Sequence, residues 1–230
     1  MKRLNFITIM LLISSFGSCQ SELTEFEQGD LRVTIEQGEA WLHDFPLFLG
    51  ITKKNPPQIA VWLEDTAGNY LTTVYVSHKI ATGSWQAAGG NPRKEALPHW
   101  NYLRGLNTSL PDGVSGATPR SGFSVNLRPA TASLSRFTLK VEVNHSTDFN
   151  AAYPKTASKG EANYSGGKDG SGQPALVYAV GVNLLSGEKV FEAALIGHSS
   201  PDGSDGKVYP DVSQCTTALN IVKRITVTVK

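Results

Sequence analysis

The residues best suited to covalent chemistry lie in one short run, Asp112-Gly113-Val114-Ser115-Gly116-Ala117-Thr118, followed by Pro119-Arg120-Ser121-Gly122. Two hydroxyls and a carboxylate share it with two glycines, so the backbone beside Thr118 can bend and carries little bulk. Such a segment can present the Thr118 hydroxyl to a second protein, and the backbone amides of Gly116 and Ala117 can help hold an anion. The same residue types also make ordinary surface turns. A second reactive group, the thiol of Cys19, closes a different pattern: Lys2 and Arg3, an apolar run from Phe6 to Ile13, then Ser14, Ser15, Gly17 and Ser18. A basic head, an apolar middle and a small-residue exit read as an export signal. The apolar stretch is far short of the ~20 residues that a permanent membrane helix needs.

Other chemistries are poorly served. The histidines at positions 43, 78, 99, 145 and 198 form no closely spaced pair, which leaves a metal site weakly supported. Asp202-Gly203-Ser204-Asp205-Gly206 lacks the alternating ligands and terminal glutamate of an EF-hand loop and reads as a turn. No Gly-x-Ser-x-Gly elbow occurs, and no carboxylate pair can be assigned to facing strands, so a hydrolase is unsupported. His99 beside Trp100 reads first as a structural histidine. If Cys19 is modified, Cys215 has no partner for a disulfide and reads as a buried small hydrophobe. Removal of Lys2 and Arg3 takes the formal charge from +1 to −1, which gives no electrostatic case for nucleic acid.

Residues 112–118 resemble the flavinylation sequence of extracytosolic redox proteins, Asp-Gly-x-Ser/Thr-Gly-Ala-Thr, at every specified position. At ordinary residue frequencies such a match arises in a chain of this length with a probability of about one in ten thousand or less. The resemblance implies that a flavin transferase joins FMN, through its phosphate, to the Thr118 hydroxyl. Asp112, Gly113, Ser115, Gly116 and Ala117 would then belong to the cofactor-bearing segment. A covalent link suits a flavin that would otherwise be diluted outside the cytoplasm. The isoalloxazine needs an apolar or aromatic surface, for which Trp85, Trp100 and Tyr102 are the candidates.

Two further resemblances concern location. Phe16-Gly17-Ser18-Cys19 resembles the lipobox of bacterial lipoproteins, with Phe16 where leucine is usual. It implies that Cys19 carries a diacylglycerol and becomes the new N-terminus. Residues Ala60 to Thr73, Leu97-Pro98-His99-Trp100 and Ser115-Gly116-Ala117-Thr118-Pro119, in this order, resemble a family of predicted periplasmic proteins of unknown function. That family accompanies flavin-transferase, PepSY-type membrane and outer-membrane genes. The resemblance covers most of residues 30–230 and implies an electron relay at the bacterial cell envelope, on the periplasmic side or outer surface. Its partners would be membrane or envelope redox proteins, and it brings no established catalytic residues.

The elements that must position these groups follow from the remaining pattern. Residues 1–18 form the signal peptide, 19–29 a polar, acidic tether, and 30–230 one domain large enough for a substantial core without disulfides. Short β-rich runs recur at Asp30 to Gln37, Gln58 to Glu64, Tyr70 to Ser77, Phe123 to Leu127, Phe137 to Asn144, Ala175 to Leu184, Lys189 to Gly197 and Arg224 to Val229. In the fifth, Phe137, Leu139, Val141 and Val143 alternate with Thr138, Lys140, Glu142 and Asn144, which predicts one buried and one wet face. Asp65 to Asn69 and Ser186-Gly187 read as hairpin turns. Short helices are predicted over Lys94 to Arg104, interrupted at Pro98, and over Thr216 to Lys223 with Thr216 or Thr217 as N-cap. Long loops cover Lys79 to Ser121 and Ser146 to Gln173; at that length each is either functional or disordered. The sum is a mainly β protein: an antiparallel β-sandwich of immunoglobulin-like architecture with long loops and one or two short helices. The aromatic content also suits a non-catalytic module, either a carbohydrate-binding sandwich or a structural envelope partner.

Overall fold

The computed structural model describes residues 31–46, 49, 51–83, 93–105, 114–117, 119–128 and 134–230. The signal segment with Cys19, and also Trp85, Asp112, Gly113 and Thr118, lie outside the described residues.

The strands are β1 (Leu31–Gln37), β2 (His43–Pro46), β3 (Thr52–Asn55), β4 (Gln58–Glu64), β5 (Tyr70–Ser77), β6 (Val114–Gly116), β7 (Phe123–Leu127), β8 (Arg136–Asn144), β9 (Leu176–Asn183), β10 (Val190–Glu192), β11 (Ala194–Ser199), β12 (Val208–Tyr209) and β13 (Val222–Val229). Two short helices, α1 (His78–Thr82) and α2 (Pro98–Arg104), fall between β5 and β6. A four-stranded sheet runs β10-β13-β1-β7, a seven-stranded sheet runs β12-β11-β9-β8-β4-β5-β6, and β2 and β3 pair only with each other.

The two large sheets form a sandwich because each turns one apolar face inward. Leu31, Val33 and Ile35 of β1 and Ile225 and Val227 of β13 meet Ile59, Val61 and Leu63 of β4 and Phe137, Leu139, Val141 and Val143 of β8. Period-two alternation brings these side chains to one face of each strand, and their burial supplies most of the stabilisation, about 1.5–3 kcal/mol for each large side chain. No two consecutive strands are neighbours in the four-stranded sheet. That order differs from the ABED and CFG sheets of an immunoglobulin domain.

Several local expectations are corrected. The second face of β8 is covered: Glu142 and Asn144 are buried, and Thr138 and Lys140 are partly so. The covering layer is the segment that carries α2, whose Leu97 and Trp100 pack with Trp62, Val76 and Val177 in a second apolar cluster. Pro98 starts α2 instead of interrupting it, because at the first helical position its missing N–H costs nothing. The expected helix at 216–223 reduces to a single 3₁₀ turn, Thr217–Asn220, with no side-chain cap bond. From Val222 the chain is already strand, since Val222, Ile225 and Val227 fill the core opposite β1. Lys189 to Gly197 splits into β10 and β11, which lie in different sheets. Ser186-Gly187 is therefore part of a crossover between sheets and not a hairpin turn. Asp65 to Asn69 does join the antiparallel pair β4 and β5, with Asp65 Oδ1 accepting from the amides of Ala67 and Asn69 at 2.8 Å each. The 146–173 loop is an ordered structure, closed by a bridge between Asp148 and Gly172 and by bonds from the Thr147 amide to the Gly170 carbonyl and from the Gln173 amide to the Asp148 carbonyl, both at 2.8 Å.

Candidate functional site

Residues 114–116 of the glycine-rich run are strand. β6 pairs in parallel with β5, Tyr75 opposite Val114, Val76 opposite Ser115 and Ser77 opposite Gly116, and forms the edge of the seven-stranded sheet. The expectation of a bent backbone at Gly116 is corrected, because the residue is extended and carries no positive φ. Its lack of a side chain leaves open space instead: a Cβ built there meets no atom within 4 Å. Ala117 is exposed. Position 118 is bracketed by anchored neighbours. On one side the Tyr75 hydroxyl donates to the Gly116 carbonyl at 3.5 Å, and on the other the indole of buried Trp41 donates to the Pro119 carbonyl at 3.1 Å. Arg120 Nη1 then donates to the Lys54 carbonyl of β3 at 3.2 Å.

The aromatic candidates separate. Trp100 is fully buried, its Nε1 donates to Thr73 Oγ1 at 3.0 Å, and the Arg104 guanidinium lies 4.6 Å from its ring centroid. It braces α2 against β5 and offers no open ring face, which corrects its candidacy as a stacking surface. Tyr102 is 39% exposed and is fixed by its hydroxyl, which donates to the Ser204 carbonyl at 2.6 Å. With Ile80 and Ala81 of α1, and Lys94, Asn101 and Gly203, it lines a cleft of about 370 Å³ between the two helices. β6 and α1 both abut β5, one alongside it and one directly after it. A broader, open depression of about 530 Å³ on the other sheet, lined by Thr34, Gln37, Ser121, Gly122 and Lys223, abuts the residues that follow the motif.

The residues that hold this region in place were missed by the pattern of the sequence. Glu142 is fully buried, yet its carboxylate is well provided with donors: Ser199 Oγ at 2.6 Å, the Trp100 amide at 2.8 Å and the His99 amide at 3.2 Å. A strand residue thus caps the first turn of α2, whose free N–H groups attract negative charge. Burial pushes this carboxyl up to about 7 against the opposing pull of those bonds. Beside it Lys140 Nζ lies 3.0 Å from Glu64 Oε2 and 3.0 Å from His99 Nε2, while the Trp62 indole donates to Glu64 Oε1 at 2.8 Å. His99 Nδ1 reaches the Gly206 carbonyl at 2.7 Å, so the ring donates there and accepts from Lys140 as a neutral imidazole. Burial lowers its proton affinity, in keeping with that role. The signal available in the sequence was charge on the alternate positions of adjacent strands, Glu64 on β4 and Lys140 and Glu142 on β8, which reads equally well as a solvated face. Arg93 extends the bracing: it pairs with Glu95 at 3.0 Å, and its other nitrogens bond Ser146 and Ser171 of the 146–173 loop.

The remaining candidates resolve into structure. His145 faces the Ala40 carbonyl at 2.9 Å, and its ring centroid is 5.2 Å from that of His43, while Asp148 accepts from Thr217 Oγ1 at 2.5 Å. His198 stacks on Tyr209, whose hydroxyl donates to Asp205 Oδ2 at 2.8 Å. Asp202 Oδ1 accepts from Ser200 Oγ at 2.7 Å and from the Ser204 amide at 3.0 Å, the bonds of a tight turn. Among the described residues no three His, Cys, Asp or Glu side chains converge as a metal site would require. Cys215 is buried in the main core, and burial pushes its thiol up to about 11. Trp41, Trp62 and Trp100 are all buried, so none of them supplies an exposed strip for stacking sugars.

No family model matches the chain, and no curated protein matches it.

Proposed function

We propose that this protein is a lipid-anchored component of a bacterial cell envelope that carries FMN covalently on Thr118 and relays electrons between envelope redox partners. The carrying observation is the unbroken seven-residue match at Asp112 to Thr118. Supporting it, the described part of that run is an edge strand, whose outer backbone can be gripped by a second protein through strand pairing. Residues 116 and 117 also fit a bulky adduct next door, since nothing crowds Gly116 and Ala117 is exposed. Tyr102, in the cleft between α1 and α2, is the described aromatic best suited to lie against the isoalloxazine. Bound there, the flavin would supply the one- or two-electron chemistry. The chain's own contribution is attachment, orientation and a rigid frame, so it acts as a relay and not as a self-sufficient enzyme.

Intact-mass and peptide spectrometry on the chain coexpressed with a flavin transferase tests this. A single FMN increment is expected on the peptide containing Thr118, and it should vanish in Thr118→Ala. An unmodified Thr118 under conditions that flavinylate a control protein refutes the reading and leaves a non-catalytic ligand-binding or structural envelope sandwich.

A further inference from the structure

The hairpin of β2 and β3 does not belong to the sandwich. Among the described residues its two strands pair as a sheet only with each other, from His43 opposite Asn55 to Pro46 opposite Thr52, at the end where β1 finishes and β4 begins. The five residues that close it read Leu47-Phe48-Leu49-Gly50-Ile51. Hairpin loops favour Gly, Asn, Asp and other polar residues, so the two described apolar residues here, Leu49 and Ile51, run against that preference. Leu49 is 89% exposed and Ile51 53% exposed, and Leu49 adopts φ +54°, a conformation that is costly for a side chain of its size. Behind the tip lies a cationic collar. Lys53 is exposed, Lys54 pairs with Asp44 at 3.0 Å, and Arg120 is held to the Lys54 carbonyl. Against Lys53, Lys54 and Arg120, Asp44 is the acidic side chain of the hairpin.

We infer that Leu49 and Ile51, at the tip of the β2–β3 hairpin, insert into the interfacial region of an anionic lipid bilayer. A protein partner is the less favoured occupant, because a specific protein interface needs roughly 800 Å² per side. One five-residue loop falls short of that, whereas lipid closes around a small apolar tip and rewards each buried group, with cations drawn to the charged headgroups. The tether allows it. From Cys19 to Leu31 an extended chain reaches roughly 40 Å, while the seven residues of β1 span roughly 23 Å. An anchor at Cys19 therefore leaves the opposite end of β1 within reach of the membrane, and this step rests on the lipoprotein reading. The hairpin also adjoins the motif-bearing edge, through Arg120 to Lys54 and Trp41 to Pro119. Seating the tip would hold position 118 close to the membrane plane, facing redox partners embedded there.

The test uses the full chain with an environment-sensitive fluorophore on Leu49→Cys, added to phosphatidylethanolamine–phosphatidylglycerol vesicles that contain brominated acyl chains. The parent chain gives the background labelling, since Cys215 is buried. The expected result is a loss of about half the emission or more, smaller on phosphatidylcholine vesicles and abolished by Ile51→Asp. A label on Leu185→Cys, exposed on the β9–β10 crossover, should stay bright. Emission at Leu49→Cys unchanged by the brominated chains overturns the proposal, whether or not the protein floats with the vesicles, and leaves a protein surface as the occupant. Flotation is read separately and reports the Cys19 anchor.

Discussion

Glu142 and His145, three residues apart at the end of β8, should drive the pH dependence of stability in opposite directions. Burial pushes the Glu142 carboxyl up from 4.5 to about 7 and the His145 imidazole down from 6.5 to about 4. In the folded protein Glu142 keeps a proton that the unfolded chain releases, so its contribution is complete below pH 4.5 and is lost as pH rises to about 7. His145 stays neutral in the fold where the unfolded chain is protonated, so its contribution is complete above pH 6.5 and is lost as pH falls to about 4. Each displacement spans roughly 2.5 pH units, which at ~1.36 kcal/mol per unit amounts to about 3 kcal/mol. The two slopes overlap and largely cancel in the parent chain. Glu142→Gln keeps an acceptor for the Trp100 amide and removes the falling slope, so stability relative to the parent should rise by about 3 kcal/mol between pH 4.5 and 7. His145→Gln can still donate to the Ala40 carbonyl, and its stability relative to the parent should fall by about 3 kcal/mol between pH 4 and 6.5. Urea denaturation across this range, taken as differences from the parent, removes the contributions of the other titrating groups. Profiles of the two variants that run parallel to the parent would refute the assignment of buried, oppositely displaced groups.

Lys140→Met leaves the Glu64 carboxylate buried without its cation and should cost about 3–5 kcal/mol in urea denaturation. Adding Glu64→Gln, which is neutral but still accepts from the Trp62 indole, should recover most of that loss. Gly172→Ala places a Cβ 2.4 Å from the Asp148 backbone at φ +79°. It should cost about 1–3 kcal/mol and speed amide exchange at Asp148 and Gln173, the residues that close the 146–173 loop.

The inner faces were legible because burial between two sheets leaves a period-two signature, as in Leu31, Val33 and Ile35 or Phe137, Leu139, Val141 and Val143. The outer face of β8 was not, because a charged residue alternating with apolar ones reads the same whether water or a helix covers it. What distinguishes the two cases is a set of remote partners: the amides of His99 and Trp100 and the hydroxyl of Ser199, which donate to Glu142, and the carboxylate of Glu64, which accepts from Lys140, each brought from another element. Local periodicity carries no information about such partners. The same reason hid the crossover at Ser186-Gly187, whose residues make a good turn in either topology. At the motif, composition correctly marked a small, open stretch but not its extended form, since pairing with β5 fixes the backbone of Gly116.

On the proposed reading, these features also divide the labour of the site. A three-residue parallel strand at a sheet edge adds little to stability and leaves its outer backbone available, which suits recognition by a modifying enzyme. Orientation then has to come from elsewhere, and it is available on both sides. Glu142 fixes α2, and with it Tyr102, to the sheet. Trp41 and Arg120 fix the residues after position 118 to the core and to the β2–β3 hairpin. A covalent cofactor removes the need for a deep binding pocket, because attachment alone sets its local concentration. On that reading the sandwich can serve redox work through its edge, provided that edge and the apolar tip are held toward the same partner.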